Sequence, residues 1–551
     1  MPGNPAVAER LARLQVDQRR AATAPPGPVL CVAPAGSGKT TTLVARVAWL
    51  IDDGAPPESI CAITFNRRAA EELRERLVTA LRPLGEGVAD RVRVRTFHAL
   101  GLEVLREAGA TVQPLLDREA VLRTVRPDAS PAERRRLDTL VSRFKLDLDV
   151  DPAAIEADAE AGPAARTYAA YEAEIRRLGG LDFDDLVARS LRLLEGDGTV
   201  LAAWRARCEH LLVDEAQDLD RAQLRLALLL AAPTNRIFLV GDDDQSIYGW
   251  RLADVRRLLG LADTSLPGLL RVDLETNYRC PGPVLDRAVR LIEHNAERFA
   301  KVIRAGPTAQ GWLALAPTAA DDVDRAAAVL ASWPDDGGTR AILARTNREL
   351  LPVVAAALRL DTPFRAKELR LPIESPVVDD ILAGVKAEQG QHLLVAIARA
   401  RARTSADEVG SASSDDGSLE GDGIAAALLG WAAAHTDLDA LGASIKATRE
   451  QLNRLRTDDA PLMLATAHGT KGLEFDHVAV IGLDEGRFPS ARSVTEAVEP
   501  DRALEEERRL AYVAWTRARR SLTLVYDPGS PSQFLLEAFG AEELGLVRTR
   551  R

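Results

Sequence analysis

The stretch "PVLCVAPAGSGKTTTLVARVAWLI", residues 28–51, decides the fold. "PVLCVA" (28–33) is a continuous apolar run of strand length, and from Gly38 to Ile51 the apolar residues recur at helical spacing. Between them, "APAGSGKTT" (33–41) is a glycine-rich turn opening straight into the helix. Such a turn lets successive backbone N–H groups face one point at the positive end of the helix dipole, where a phosphate binds. Ala35, Gly36, Ser37, Gly38 and Thr41 would form the cradle, Lys39 would neutralise β- and γ-phosphates, and Thr40 would reach Mg²⁺. The first glycine of the usual pattern is replaced by Ala33, so the bland alternative is a glycine turn with an incidental lysine.

Working outward, further short β-rich runs lie at 60–64, 210–215, 236–242, 341–344, 462–467, 477–483 and 521–526, with helical patterns between most of them. Strands alternating with helices indicate parallel α/β sheets. Two stretches break the alternation. Residues 108–180 are charge-rich and helical, an all-α insertion, and 371–460 form a second α-rich segment containing "TSADEVGSASSDDGSLEGDG" (404–423), which reads as a flexible acidic linker. The chain has 551 residues, 46% hydrophobic and 28% charged, enough for several domains. Its four cysteines stand far apart without a CxxC pair, which argues against zinc or iron–sulfur sites and fits a reducing cytosol. No apolar leader opens "MPGNPAVAERLARLQ", and no apolar run approaches bilayer length, so no membrane partner is expected. The net charge of −11 does not exclude a locally basic groove.

Other motifs gain meaning from the phosphate loop. "LLVDEAQD" (211–218) ends a strand with Asp214, a candidate Mg²⁺ ligand, and Glu215, a candidate to polarise attacking water. Alone, an acidic pair there is an ordinary solvated turn. "GDDDQSIYGWR" (241–251) joins three carboxylates and Gln245, suited to metal–phosphate chemistry, to Tyr248, Trp250 and Arg251, suited to stacking on bases. The competing reading is a hairpin whose aromatics plug a core. "ITFNRRAAEEL" (63–73) and "VRTFHAL" (94–100) put Phe65 and Phe97 just after strands, where each either meets a base or packs inward. "LETNYRC" (274–280) and "LAYVAWTRARR" (510–520) place Arg279 and Arg517 beside aromatics, as arginines that would stabilise γ-phosphate charge or simply form salt bridges. "HGTKGLEFDHV" (468–478) combines a glycine turn with Lys471 and Glu474, or is a polar hairpin.

Together these segments resemble the UvrD/Rep/PcrA family of superfamily 1 DNA helicases, in the family's order from about residue 14 to 535. "VGDDDQSIYGWR", "VDEAQD" and "TKGLEF" are its most specific pieces; "LQVDQRRAA" (14–22), "LDFDDLV" (181–187) and "PSQFL" (531–535) also look familial. The resemblance implies two RecA-like domains of the P-loop class. The first spans 1–107 and 181–278 around insertion 108–180; the second spans 279–370 and 461–551 around 371–460, which stands where the family carries a much larger accessory 2B domain. It implies ATP hydrolysis by Lys39, Thr40, Asp214, Glu215, Gln245, Arg279 and Arg517, adenine contacts from Gln18 and Tyr278, and a ribose contact from Glu474. Phe65, His98, Tyr248, Trp250 and Arg251 match positions along the single-stranded DNA track. "TFNRRAA" departs from the family's usual TFTNKAA. The implied function is Mg²⁺-ATP-dependent 3′→5′ translocation on single-stranded DNA and unwinding at single–double strand junctions. The alternative is a motor or ATP-switch subunit serving a nuclease, repair or phage-defence partner.

Overall fold

A computed structural model describes residues 3–147, 155, 162–307, 309–386, 392–406 and 421–546. The chain divides into two compact units: Met1–Ala129, Glu133–Tyr278 and Asn295–Gly306 form the first, and Ser130–Ala132, Arg279–His294 and Pro307–Arg551 the second.

The first unit is built on six parallel strands, β1 (Val29–Val32), β2 (Ile60–Thr64), β3 (Arg93–Thr96), β4 (His210–Val213), β5 (Ile237–Gly241) and β6 (Leu270–Asp273), in the order β3-β2-β4-β5-β1-β6. The four inner strands β2, β4, β5 and β1 are buried along their whole length because helices cover both faces, while the edge strands β3 and β6 carry Arg93, Arg95, Arg271 and Asp273. Leu30, Val32, Cys61, Ile63, Leu211 and Val213 belong to one buried cluster, while their neighbours Val29, Cys31, Ile60, Ala62 and Leu212 belong to another. That alternation is the period-two geometry of a strand buried on both sides. Since all six strands run the same way, the loops leaving their C-terminal ends gather along one edge, where open α/β sheets bind ligands.

Residues 295–306, expected in the second domain, belong to the first unit. Two short strands, β7 (Thr276–Asn277) and β8 (Arg304–Ala305), pair in parallel, and Lys301 is buried against three aspartates after β5. The helical insertion contains Arg118–Val125, Pro131–Leu146 and Pro163–Leu178 around a small cluster with Val121, Val141, Tyr168 and Ile175. The "LDFDDLV" carboxylates anchor it: Lys145, 1% exposed, pairs with Asp182 (2.9 Å), Asp185 (3.0 Å) and Glu172 (2.8 Å).

The second unit repeats the plan with β9 (Trp312–Pro317), β10 (Arg340–Ala344), β11 (Phe364–Arg365), β12 (Leu462–Thr466), β13 (Phe475–Val480) and β14 (Ala518–Tyr526), all parallel in the order β11-β12-β10-β13-β14-β9. β12 and β13 flank β10, so "HGTKGLEFDHV" is a crossover and not a hairpin. The 371–460 segment holds helices Pro376–Lys386, Leu393–Ala406, Gly421–Ala432 and Leu438–Leu455. The ends of the expected acidic linker, 404–406 and 421–423, are helical, and 407–420 lie outside the described residues. Ile381, Ile397, Leu428, Leu441 and Leu452 of these helices share one hydrophobic cluster with Ile342 of β10 and Leu464 of β12.

Asp220 caps helix Arg221–Ala231, accepting from the Gln223 N–H at 2.8 Å, yet it is only 4% exposed. Burial raises its pKa from 3.8 to about 7. The folded chain therefore keeps a proton that the unfolded chain loses near pH 4, and the stability this contributes fades as pH rises through about 7. Asp220→Asn keeps a capping oxygen without the charge. It should stabilise the protein at about pH 8, by up to about 4 kcal/mol, with the gap narrowing towards pH 4. Urea melts of both proteins across that range check this, and a gap independent of pH contradicts it.

Candidate nucleotide site and aromatic track

The phosphate loop leaves β1 and turns through Gly36 (φ +67°) and Gly38 (φ +86°) into helix Lys39–Asp52. Gly38 is required twice over, since any Cβ there would also sit 2.6 Å from Gln18 Nε2. The loop is pinned by its carbonyls: Gln18 Nε2 donates to Ser37 O (2.8 Å), Asn277 Nδ2 to Ala35 O (2.7 Å) and the Tyr278 N–H to Gly36 O (2.9 Å). Gln18 and Tyr278, the expected base contacts, thus flank the loop. Thr40 follows Lys39 in the first helical turn, and Thr41 beside it is exposed. The buried Ser37 hydroxyl has no hydrogen-bond partner in the protein, as expected of a cradle made for phosphate oxygens.

Lys39 Nζ lies 3.1 Å from Glu215 Oε2. Burial opposes its charge, but Glu215, Asp242 and Asp214 raise its pKa above the usual lysine value. Glu215 sits at φ +53°, a conformation a non-glycine residue adopts at a cost, and Gln217 Nε2 holds the same oxygen at 2.7 Å. Asp214 closes β4, and burial, followed by the Glu215 charge, pushes its carboxyl up to about 7. Lys39 only partly offsets this, so the buried Asp214 carboxylate, with the Thr40 hydroxyl, is an oxygen donor set that fits a Mg²⁺ ion.

The loop after β5 is not the hairpin of the competing reading but two short turns, Asp243–Gln245 and Gly249–Arg251. Nor are its three carboxylates free for metal chemistry. Lys301 Nζ lies 2.8, 2.5 and 2.9 Å from Asp242, Asp243 and Asp244, and Arg298 makes a two-pronged bond to Asp244 at 2.9 and 2.8 Å. Asp242 Oδ2 accepts from the Ala35 N–H (3.1 Å) and from Gln245 Nε2 (2.6 Å), which joins Gln245 to the phosphate loop through one carboxylate. Lys301, Arg298, Asn277 and Gln217 carry this site, and the sequence reading named none of them.

At the far end of the same loop Trp250 is 57% exposed. Tyr248 stacks on Phe65 (5.2 Å, 9° between planes) and meets Trp250 edge-on (6.2 Å), while the Arg251 guanidinium lies 4.6 Å over Trp250. Asn66 in "TFNRRAA" caps helix Arg67–Leu81. Phe97 is buried core and meets no base, whereas His98 stacks on the exposed Phe183 at 4.0 Å. Burial pushes the His98 pKa down to about 4, so it is neutral at physiological pH and offers stacking, not charge.

In the second unit, Arg279 Nε donates to Glu474 Oε2 at 2.6 Å, and Arg519 holds the other carboxylate oxygen. Arg517 is 1% exposed and donates to the Val513 (2.8 Å) and Leu473 (3.1 Å) carbonyls, so it is an interior group and not a surface ion pair.

Two RecA-like parallel-sheet domains, one carrying a phosphate loop after β1 and an acidic pair after β4 of the same sheet, define a P-loop nucleotide hydrolase. Residues 14–265 match the UvrD/REP helicase N-terminal domain and residues 434–528 the UvrD-like helicase C-terminal domain. The chain belongs to the UvrD/Rep/PcrA-like helicases of superfamily 1, and by that membership it is an ATP-dependent DNA helicase. It is 29% identical to the ATP-dependent DNA helicase PcrA of Leuconostoc citreum, over 93% of this chain and 83% of the relative. It is 29% identical to DNA helicase II of Escherichia coli K12 (92% and 84%) and 28% identical to DNA helicase II of Haemophilus influenzae (94% and 85%).

The loop's two ends give separable expectations. Trp250→Ala should weaken single-strand binding by about 1–3 kcal/mol, roughly 5- to 150-fold, with ATP affinity nearly unchanged. Gln245→Ala should do the reverse, keeping DNA binding while impairing hydrolysis. Binding titrations and ATPase rates check both; equal losses of both activities in both variants contradict the division.

Proposed function

We propose that the protein hydrolyses Mg²⁺-ATP to move 3′→5′ along single-stranded DNA and separates duplexes at single–double strand junctions. The observation that carries this reading is the loop 241–251. Its Gln245 is buried and tied through Asp242 to the phosphate loop, while Trp250, five residues on, is exposed among stacked aromatics. A shift at one end of so short and tightly bonded a segment is felt at the other, which is what coupling hydrolysis to base stepping requires.

The chain's own groups divide the chemistry. Backbone N–H groups of the loop and Lys39 hold the β- and γ-phosphates, and Gln18 and Tyr278 hold the base. Glu215 takes a proton from water as its oxygen bonds to the γ-phosphorus and the β–γ bridging P–O bond breaks, its electron pair leaving with ADP. Mg²⁺, held by Thr40 and Asp214, would supply charge neutralisation on the phosphates. Arg279 and, once it leaves the Val513 and Leu473 carbonyls, Arg517 meet the charge developing on the γ-phosphate, and Glu474 meets the ribose. Phe65, His98, Tyr248, Trp250 and Arg251 form the DNA track. Among the described residues no helix is long and apolar enough to cross a membrane, and four cysteines outside any disulfide suit a cytoplasmic protein. The alignment with the Leuconostoc relative runs over 633 positions against a chain of 551 residues, so the relative carries segments this chain lacks. That supports a reduced accessory region, whose position at 371–460 is our reading.

Lys39→Ala and Glu215→Gln should each nearly abolish DNA-stimulated ATPase, and Glu215→Gln should still bind ATP because only the base is removed. Wild-type turnover in either contradicts the site assignment. Strand displacement by the purified protein should require a 3′ tail; equal unwinding from 5′-tailed duplexes contradicts the polarity.

A further inference from the structure

Glu474 lies between two guanidinium groups of the second unit. Arg279 Nε holds Oε2 at 2.6 Å and also reaches the Thr516 carbonyl (3.3 Å), while Arg519 holds Oε1. The three side chains are 33%, 16% and 47% exposed for Glu474, Arg279 and Arg519 respectively, so this is a half-open cluster in which a side chain can change partners. Burial works against the Glu474 charge, yet the two arginines together hold its pKa below the usual carboxylate range. The neighbouring Arg520 does not share this task, because it is committed to Asp336 (2.8 Å) and Asp476 (3.4 Å).

This arrangement bears on catalysis. An arginine that meets developing phosphate charge must first leave whatever anion holds it. Bound to Glu474 alone, Arg279 would exchange one carboxylate for a phosphate and strand a half-buried negative charge behind it. With Arg519 on the other oxygen, Glu474 stays neutralised when Arg279 departs. We propose that Arg519 is a positioning residue that shares the Glu474 carboxylate and so releases Arg279 for the γ-phosphate. The proposal rests on the reading that Arg279 acts on the nucleotide.

The test is steady-state, DNA-saturated ATPase of the full-length protein. Arg519→Ala should lower kcat about three- to fivefold, the scale of a partly exposed ion pair, with KM for ATP changed less than about twofold. Arg519→Lys should restore most of the rate. Melting temperature should be unchanged, since the side chain is half exposed. The deciding measurement is a double-mutant cycle: in a Glu474→Gln background, where no charge is left to neutralise, Arg519→Ala should cost nothing further. An unaltered kcat, a change confined to KM, or an equal loss in the Gln background each overturns the proposal. Arg279→Ala separates the two levels. Its loss of up to about 10³-fold is expected; wild-type kcat in that variant removes the reading beneath and the proposal with it. A deep Arg279→Ala loss beside a silent Arg519→Ala overturns the role of Arg519 alone.

Discussion

One ammonium group organises the first unit. Lys301, 1% exposed in its side chain, meets three consecutive aspartates within 2.9 Å. Three adjacent buried carboxylates without a cation would be prohibitive, since breaking a buried ion pair by removing one partner costs about 3–5 kcal/mol. With Lys301 and Arg298 in place, Asp242 can spend its remaining oxygen on the Ala35 N–H and the Gln245 amide. The geometry of the phosphate loop and of the residue beside it therefore both hang on a lysine that lies outside the loop in sequence. The same contact draws residues 295–306 back to the first unit after the chain has already entered the second.

Around that hub the site is held by backbone as much as by charge. Glu215 occupies left-handed space that its side chain disfavours, and bonds from Gln217 and Lys39 keep it there. Gly241, at the end of β5, allows Gln217 to approach: a Cβ there would stand 2.5 Å from Gln217 Oε1. Gln217 in turn accepts from the Asp242 N–H at 3.0 Å. The acidic pair after β4 and the loop after β5 are thus one bonded assembly, set by adjacent parallel strands.

How much of this was legible follows from the range of each interaction. The phosphate loop, its helix and the buried strands announce themselves locally, through glycines at a turn and unbroken apolar runs, and the structure places them within a residue or two of expectation. Asp214, Glu215 and Gln245 were visible because each stands just past such a strand. Lys301 was not, because its three partners lie 57 to 59 positions back and its neighbourhood, "AERFAK", carries no pattern. The carboxylates of 242–244 suit metal–phosphate chemistry on sequence for the same reason: a buried structural triplet and a metal site look alike until the counter-ion is found. Phe97 and Phe65 each follow a strand, yet only Phe65 stays on the surface; Phe97 opens a helix on its inward face. Short strands such as β11, two residues long, gave no periodicity to read.

The 371–460 segment shows where resemblance and physics part. A domain that turns as a body needs a core of its own and a modest, polar boundary with its neighbour. Here Ile381, Leu428, Leu441 and Leu452 are buried in the same cluster as strand residues Ile342 and Leu464. Swinging those helices away would return each side chain to water at roughly 1.5–3 kcal/mol apiece. The described helices of this segment are therefore packed into the second unit through a core they share with its sheet.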